Sequence, residues 1–228
     1  MDGFLLVDKP SGITSYGVVD RLKKRFRLPR VGHGGSLDPS ATGLLVVMVG
    51  RATKSAPILL GGDKEYEAEI RLGISTDTQD LSGRVVGEKN PGGVTRSALA
   101  SALEFFRGEI EQVPPMFSAL KNHGERLYAL ARKGITVPRP ARRVTVREIE
   151  LIDFSPPVVR VRVLCSKGTY IRTLAHDLGE RLGTGACLSA LRRTAVFPFQ
   201  VREALPLERL LALTPEEFRG RLVEPNRL

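Results

Sequence analysis

The stretch GHGGSLDPSATGLLVVMVG, residues 32–50, combines a glycine-rich segment with an unbroken apolar run. The glycine-bounded run at 43–49 predicts a strand buried on both faces. Residues 32–43 are expected to form a loop whose glycines let the backbone approach a ligand closely. Asp38 lies at the mouth of the strand, where a rigid sheet would fix a carboxylate, but an Asp-Pro pair also forms ordinary turns. These residues alone leave both interpretations open.

Strands and helices alternate on both sides of this stretch. Residues 4–7 predict a strand, and Thr14 and Ser15 can cap the helix that follows. Residues 65–72 alternate strictly, which places Tyr66 on the inward face of a strand. Further strands are expected at 144–152 and 158–165, and further helices at 95–106 and 169–182, with two short helices near the C-terminus. The pattern predicts an α+β fold with a mixed, mainly antiparallel central sheet flanked by helices.

The charge of the chain indicates a polyanionic partner. Its 35 Lys and Arg residues against 25 Asp and Glu residues give a formal net charge of +10, with a pI near 10.1. A basic balance of this size favours nucleic acid, although a solvated surface that keeps the protein soluble is the alternative. Much of the excess lies in residues 114–143, where seven basic residues accompany one acidic residue. This segment is expected to leave the sheet as a helical loop that binds RNA or is solvated.

Several classes of protein are disfavoured. The N-terminal residues lack the basic region and the apolar length of a signal peptide, and no apolar run approaches the ~18 residues that cross a bilayer. Two isolated cysteines, Cys165 and Cys187, predict neither a disulfide framework nor a structural metal site. We expect a cytoplasmic protein, without metal or cofactor, that acts as a monomer.

Five segments together resemble the TruB family of tRNA pseudouridine synthases. They occur in the family's order and cover about residues 3–200. They are LLVDKPSGITS (5–15), GHGGSLDPSATG (32–43), KEYEAEIRLGISTDTQDLSG (64–83), PPMFSALKNHGERLYALARKG (114–134) and CSKGTYIRTLAHDLGERLGTGA (165–186). Motifs of this length in a single order are specific to the family.

The resemblance implies that the chain converts uridine 55 in the T loop of tRNA to pseudouridine without a cofactor. It places Asp38 as the essential carboxylate, with Arg172 as its charge partner and Tyr66 stacked on the target ring. A carboxylate is ionised at neutral pH, so it needs no general base to become a nucleophile. Attack on the ribose, attack on the pyrimidine ring and assisted elimination all remain open as routes.

The same resemblance implies further contacts with the RNA. Because a stacked uridine must be flipped out to react, His33 is expected to fill the vacated space. The remaining expected positions are Tyr170, Leu191 and Asp80 at the uridine pocket, Lys9 in support of the loop, and Lys121, Arg126, Arg132, Lys133, Arg142 and Arg143 on the basic segment. Taken singly, each residue has an ordinary structural alternative, such as packing, capping a turn or lying on the surface.

The chain departs from the family pattern at two points. Gly34 stands where the family commonly has threonine. The second departure is at the C-terminus, where we expect no PUA-type RNA-binding module. Residues 1–228 are expected to form one catalytic domain, with a basic thumb at about 114–143 and a helical extension at 201–228. Two alternatives remain for function: an RNA-binding chaperone that folds tRNA, and a synthase that acts on another RNA with a T-loop-like bend.

Overall fold

The computed structural model describes residues 1–227, which form an α+β fold. Its strands are β1 (Gly3–Lys9), β2 (Val31–His33), β3 (Thr42–Val49), β4 (Lys64–Leu72), β5 (Ile74–Thr76), β6 (Val85–Glu88), β7 (Gly108–Gln112), β8 (Lys121–Asn122), β9 (Glu125–Arg126), β10 (Arg142–Ser155), β11 (Val158–Cys165), β12 (Ala186–Val196), β13 (Phe199–Gln200) and β14 (Leu205–Pro206). Its helices are α1 (Ser15–Phe26), α2 (Ala56–Gly61), α3 (Arg96–Glu104), α4 (Leu127–Arg132), α5 (Ile171–Arg181), α6 (Leu207–Ala212) and α7 (Pro215–Gly220).

The described chain divides into two compact units. The first contains Met1–Glu67 and the described residues from Ala190 onward, and the second contains Ala68–Ser189. Strands β4 and β12 contribute residues to both units because the chain passes from one to the other within them. The predicted class, a mixed and mainly antiparallel sheet flanked by helices, is confirmed by the strand pairings.

In the first unit, β3 is the central strand. It pairs antiparallel with β1 along one edge, while its other edge pairs antiparallel with β2 and parallel with β12. The short strand β14 extends β1 in parallel. Alternate residues of β3 enter two different cores: Leu45, Val47 and Val49 face one, and Leu44, Val46 and Met48 face the other. The strand is therefore buried on both faces, as its sequence predicts.

Helix α1 covers one of these cores. Thr14 caps it by accepting a hydrogen bond from the Gly17 amide at 2.9 Å, and Val18, Val19 and Leu22 pack inward. Helices α6 and α7 complete the same core through Leu207, Leu210 and Phe218. The Phe218 ring stacks on Phe26 of α1, with ring centroids 4.0 Å apart. The helices α1, α6 and α7 lie where the sequence predicts helices. They pack against the face of the sheet that contains β1 and β3.

The second unit has a sheet in the order β4-β11-β10-β7, in which β10 pairs antiparallel with both of its neighbours. Ala68, Ile70 and Leu72 of β4 are buried in alternation, as predicted. Helices α3 and α5 contribute Leu99, Leu103, Leu174 and Leu178 to the buried set. The pairing of β10 with β11 and the two helices confirm the predictions for this part of the chain.

Residues 113–141 connect β7 to β10, two strands that are directly paired in the sheet. This long connection contains the two-residue strands β8 and β9 and the helix α4. It has a core of its own, in which Met116, Leu127 and Leu130 are packed against Phe117 and Leu120. The connection is thus held by its own apolar contacts, and α4 is shorter than the helical loop that the sequence indicates.

Several of the shorter strands and the strand β12 are outside the sequence predictions, and two of these strands, β2 and β12, position the glycine-rich segment. Residues 31–33 form β2, so the glycine-rich segment is a connection of residues 34–41 in a hairpin and not a loop from residue 32. The strand β12, which the predictions do not contain, holds Arg192 and Arg193 beside the start of β3. Both cysteines are buried, and neither forms a disulfide. None of the helices described for residues 1–227 is long and apolar enough to cross a membrane.

Candidate active site

The connection between β2 and β3, which carries Asp38, is held by an uninterrupted set of hydrogen bonds. Every backbone carbonyl from residue 35 to residue 40 accepts at least one. The donors are Arg193 Nη2 to Gly35 (3.1 Å), Arg193 Nη1 to Ser36 (3.3 Å), Ser15 Oγ to Leu37 (3.3 Å), the Ala41 amide to Asp38 (3.1 Å), the Gly12 amide to Pro39 (2.8 Å) and Ser11 Oγ to Ser40 (3.0 Å). The backbone on both sides of Asp38 is therefore held in place, and the half-buried Asp38 side chain extends from fixed peptide planes.

Ser15 contributes twice to this arrangement. Its buried hydroxyl accepts a hydrogen bond from the Leu37 amide at 2.8 Å and donates one to the Leu37 carbonyl. Helix α1 begins at Ser15, so the first turn of that helix is joined to the residue directly before Asp38. The sequence indicates Ser15 only as a possible helix cap, whereas Thr14 caps the helix and Ser15 holds the turn.

Lys9 is fully buried below the same turn, so its surface alternative is wrong. Its ammonium donates to the carbonyls of Ile13, Pro10 and Pro39 at 2.8, 2.9 and 3.2 Å. Burial lowers the pKa of Lys9 to about 8, while the charge of Asp38 opposes that shift and the charge of Arg193 adds to it. A positive charge thus lies close enough to Asp38 to interact with its carboxylate.

Arg193 of β12 is a second buried cation that contacts this turn, at 1% exposure. Besides the carbonyls of Gly35 and Ser36, it donates from Nε to the Leu44 carbonyl at 2.8 Å. Burial lowers the pKa of its guanidinium, and the electrostatic effect of Tyr66 opposes that shift.

The predicted positions Tyr66, His33 and Leu191 also lie in the first unit and are half-buried. His33 ends β2, and burial together with the charge of Arg193 lowers the pKa of its imidazole, so the ring is neutral at pH 7. The buried Nδ1 of His33 has no hydrogen-bond partner among the described residues. The Leu191 carbonyl accepts a hydrogen bond from Thr42 Oγ1 at 3.4 Å, at the entrance to β3.

The second unit contains Arg172, Asp80 and Tyr170. Arg172, in the first turn of α5, is buried and donates to the carbonyls of Phe117 and Thr78 at 2.8 and 3.2 Å. Its Nε lies 4.0 Å from a carboxylate oxygen of Asp80. The surface alternative for Arg172 is therefore wrong. Its expected pairing with Asp38, a residue of the first unit, stays a prediction.

Asp80 also caps a turn. Its other carboxylate oxygen accepts hydrogen bonds from Thr78 Oγ1 at 2.7 Å, from the Ser82 amide at 2.9 Å and from Ser82 Oγ at 2.5 Å. The contacts of Asp80 thus agree with both interpretations: one carboxylate oxygen caps the turn, and the other lies near Arg172. Tyr170 is half-buried, and its backbone amide and carbonyl bond the side chain of Gln112 at 3.0 and 3.3 Å.

The basic residues expected to bind RNA are all exposed in the second unit. They are Lys121, Arg126, Arg132, Lys133, Arg142 and Arg143. Lys133 forms an ion pair with Glu125 at 2.5 Å, and Arg132 lies over the Tyr128 ring, with its guanidinium carbon 5.5 Å from the ring centroid. Within residues 1–227, no group of three or more His, Cys, Asp or Glu side chains is arranged to hold a metal ion.

Nothing in the sequence alone indicates that Arg193 and Ser15 contact the turn. A signal for Arg193 exists in retrospect. Leu191, Arg193 and Ala195 alternate with Ala190, Arg192 and Thr194, so a strand at this position would direct one of the two adjacent arginines to the apolar side. The distinction requires the strand to be recognised first.

Comparison with known proteins places this arrangement in a class. Residues 23–171 match the N-terminal domain of the TruB family of pseudouridylate synthases, and residues 172–224 match the C-terminal domain described for tRNA pseudouridylate synthase B. The chain belongs to the TruB family of pseudouridylate synthases, which are isomerases.

Named relatives narrow the class further. The chain is 52% identical over 225 residues to tRNA pseudouridine synthase B of Azoarcus sp. (strain BH72), which covers 99% of this chain and 74% of the relative. It is 46% identical over 223 residues to the protein of the same name from Opitutus terrae, covering 98% of this chain and 92% of that one.

Solved structures agree in fold. A chain of a Cbf5-Nop10-Gar1 complex matches 99% of this chain with a TM-score of 0.78 and 32% identity. A chain of an H/ACA RNP bound to a substrate RNA containing 2'-deoxyuridine matches 99% with a TM-score of 0.73 and 29% identity. This protein spans 60% of the length of each of those chains.

Proposed function

We propose that this enzyme isomerises uridine 55 in the T loop of tRNA to pseudouridine, with Asp38 as the carboxylate that acts on a flipped-out uridine. The observation that carries the proposal is the turn around Asp38, in which six consecutive carbonyls are hydrogen-bonded and two buried cations lie beneath. The tRNA substrate is supported by relatives at 46–52% identity that are named for that activity.

The reaction rearranges bonds within one nucleotide. The bond from N1 to C1' breaks, the base turns while it is held, and a bond from C5 to C1' forms. The C5 proton leaves and N1 gains a proton, so no electrons or atoms are exchanged overall. Attack at C1', attack on the ring and assisted elimination each use an anionic oxygen at a fixed position, which Asp38 supplies.

The surroundings of Asp38 favour that role. The positive charge of Lys9 interacts favourably with an ionised Asp38, and its bond to the Pro39 carbonyl fixes the residue after it. Holding a group in its productive geometry contributes several kcal/mol to catalysis, about 7–11 kcal/mol in well-oriented model systems. A turn bonded at every carbonyl keeps that geometry before the substrate binds.

Tyr66 and His33 would contact the base and the space it leaves. Tyr66 has an aromatic face for stacking, and its phenol interacts electrostatically with the Arg193 guanidinium. His33 is neutral at pH 7, which suits a ring that stacks between bases without adding a charge. Arg172 and Asp80 stay predicted positions for contact with the uridine, and the exposed cations of residues 121–143 would bind phosphates.

The test of the substrate is to map pseudouridine in total RNA from cells that lack this protein. Loss of the modification at position 55 of tRNA, restored by the wild-type gene, is the expected result. Unchanged modification at that position, with loss at a uridine of another RNA, would replace the tRNA by that RNA. No change in any RNA, together with slower tRNA folding, would support the chaperone alternative.

A further inference from the structure

Tyr16 on α1 is the most exposed of the large apolar and aromatic side chains in the described fold, at 73%. The proposed chemistry assigns it no step. A tyrosine ring offers a large contact surface at a small entropic cost, which is why tyrosine is enriched where proteins bind other molecules. A single exposed ring is also ordinary on a protein surface, so its position and its neighbours decide whether it has a role.

Tyr16 lies at the end of α1 that is bonded to the Asp38 turn. It directly follows Ser15, whose buried hydroxyl exchanges two hydrogen bonds with the residue before Asp38, at 2.8 and 3.3 Å. On the other side of the turn, the Gly12 amide donates to the Pro39 carbonyl at 2.8 Å. Adding the lengths of the links through Ser15, the Cα atoms of Tyr16 and Asp38 are less than about 15 Å apart, a distance that a few nucleotides of RNA span. Helical side chains lean toward the N-terminus, so the Tyr16 ring extends from this end of the helix.

The solvent-exposed side of α1 beyond Tyr16 is basic. Tyr16, Lys23 and Arg27 are all exposed and recur at helical spacing along α1 and its C-terminal cap, and we call these three residues the outer face of α1. The one acidic residue of α1, Asp20, forms an ion pair with Lys24 at 2.7 Å, which offsets its charge. Among the described residues, Lys23 and Arg27 form no ion pair. A stripe of cations that ends in an aromatic ring is complementary to a polyanion with accessible bases.

We propose that the outer face of α1 is a docking surface for the RNA substrate, in which Tyr16 stacks on an unpaired base and Lys23 and Arg27 lie along the phosphates. The inference rests on the proposed function, because it places this base within a few nucleotides of the uridine at Asp38. Bases of single-stranded RNA loops are bound by stacking on aromatic side chains, and every base has a π-face for this contact. The stacked base holds the opened loop while the uridine leaves its own stack.

The chain contains no tryptophan, so the variant Tyr16→Trp carries a single tryptophan fluorophore. It keeps an aromatic ring at an exposed position, where substitutions rarely affect stability. Titration with a T-arm transcript should quench its emission and shield it from acrylamide, because the ring becomes stacked on a base. The matched control is Phe105→Trp, at an exposed ring (59%) of the second unit, whose emission should stay unchanged.

Affinity for the same transcript gives an independent readout. Tyr16→Ala should weaken binding by about tenfold, whereas Tyr16→Phe should bind like the wild type, because stacking needs the ring and not the hydroxyl. Transcripts that lack the base at one loop position locate the partner of the ring: at that position the wild type and Tyr16→Ala should bind equally. Lys23→Gln together with Arg27→Gln should lower the slope of log Kd against log salt by about 1.4, since each phosphate contact contributes roughly 0.7.

Four outcomes would overturn the docking surface. One is emission of Tyr16→Trp that saturating transcript quenches no more than that of Phe105→Trp. Another is a wild-type affinity for Tyr16→Ala, a third is a loss in that variant that persists with every abasic transcript, and the last is an unchanged salt slope for the variant that lacks both cations. Tritium release from a C5-labelled transcript is measured alongside: release without quenching contradicts only the docking surface, whereas no release by the wild type contradicts the proposed function.

Discussion

At the scale of single residues, burial determines how Lys9 and Arg193 contribute to the site. Lys9 lies against three carbonyls, and burial lowers its pKa from the ordinary 10.5 to about 8. Between these two values the unfolded chain binds a proton that the folded chain does not, so the free energy of unfolding rises with pH across that window. Below pH 8, burial of the charged Lys9 thus lowers the free energy of unfolding by roughly 3 kcal/mol. The same charge and its three N–H donors hold the Asp38 turn.

The activity should therefore decline as pH rises through about 8. Above pH 8 the neutral amine of Lys9 has two N–H donors for three carbonyls, and its favourable electrostatic interaction with Asp38 is lost. Single-turnover rates measured from pH 6.5 to 9.5 should show this alkaline decline in the wild type. Lys9→Met should be slower at every pH and should lack the decline, because it has no group that titrates there.

Lys64 provides a matched control for Lys9. It is also buried, and it donates to the carbonyls of Leu59, Leu60 and Gly62 at 2.6–3.0 Å. Lys64→Met removes a buried ammonium of the same kind without touching the Asp38 turn, so its alkaline decline should stay near pH 8. A wild-type rate that is constant to pH 9.5 would contradict the role given to Lys9.

The sequence locates most of the residues of the site but not their contacts. Asp38 stands out because it precedes a continuous apolar run, and Tyr66 because the strand around it alternates strictly. Burial of Lys9 and Arg172 cannot be read from the chain, since each bonds a carbonyl of a distant segment, Pro39 for Lys9 and Phe117 for Arg172. Arg193 is missed because its strand does not show a clear pattern at its start.

At the scale of elements, Gly43 controls how closely β12 lies to β3. Its φ is +98°, and a Cβ there would meet the backbone of Arg193 at 2.3–3.0 Å. We predict that Gly43→Ala lowers the free energy of unfolding by about 2 kcal/mol or more, because both strain and overlap are introduced. Chemical denaturation measures this difference.

Gly61→Ala is the control for that substitution. Gly61 ends α2 and has no atom within 4 Å of an added Cβ, so alanine should be neutral or slightly stabilising there. Equal stability of the two variants would show that the register between β3 and β12 tolerates a side chain, contrary to the geometry described.

Gly34 and Leu59 form a pair in which one residue fills the space that the other leaves. Leu59 of α2 packs against Gly34, the residue that follows β2. A Cβ added to Gly34 would lie 3.0–3.1 Å from two side-chain atoms of Leu59. Gly34→Thr alone should therefore destabilise the fold by about 1–3 kcal/mol through overpacking. Adding Leu59→Val should recover part of that loss, and thermal melts of both single variants and the double variant measure the coupling. Additive losses would contradict the contact.

The elements themselves follow from the sequence where one signal is strong. Thr14 and Thr95 cap the helices that they precede, and the apolar run at 43–49 forms the central strand of the first unit. The strand β2 and the strand β12 are not predicted, because their pairing with β3 depends on distant partners and on glycines that permit close approach. The hairpin that carries Asp38 depends on β2 as its first strand and on Arg193 of β12 for two of its hydrogen bonds.

At the scale of the whole molecule, a formal charge of +10 makes salt a direct probe of RNA binding. We predict that changing Lys121, Arg126 and Arg132 together to Gln lowers the slope of log Kd against log salt by about 2, because each phosphate contact on RNA contributes roughly 0.7. Filter binding of a T-arm transcript between 50 and 300 mM salt gives the slope.

A control with the same charge change uses Arg202, Arg209 and Arg219, which are exposed in the first unit. Changing these three to Gln should leave the slope within about 0.5 of the wild type if the basic segment, rather than overall charge, binds the phosphates. Equal effects of the two triple variants would assign the salt dependence to net charge alone.

The Asp38 carboxylate is proposed to perform chemistry and not merely to form a turn. The direct measurement is single-turnover tritium release from a C5-labelled T-loop transcript by Asp38→Asn, with RNA affinity measured on the same preparation. Asparagine keeps the shape and leaves the six bonded carbonyls in place, so binding should stay near wild type while release becomes undetectable. Release at the wild-type rate would contradict the account.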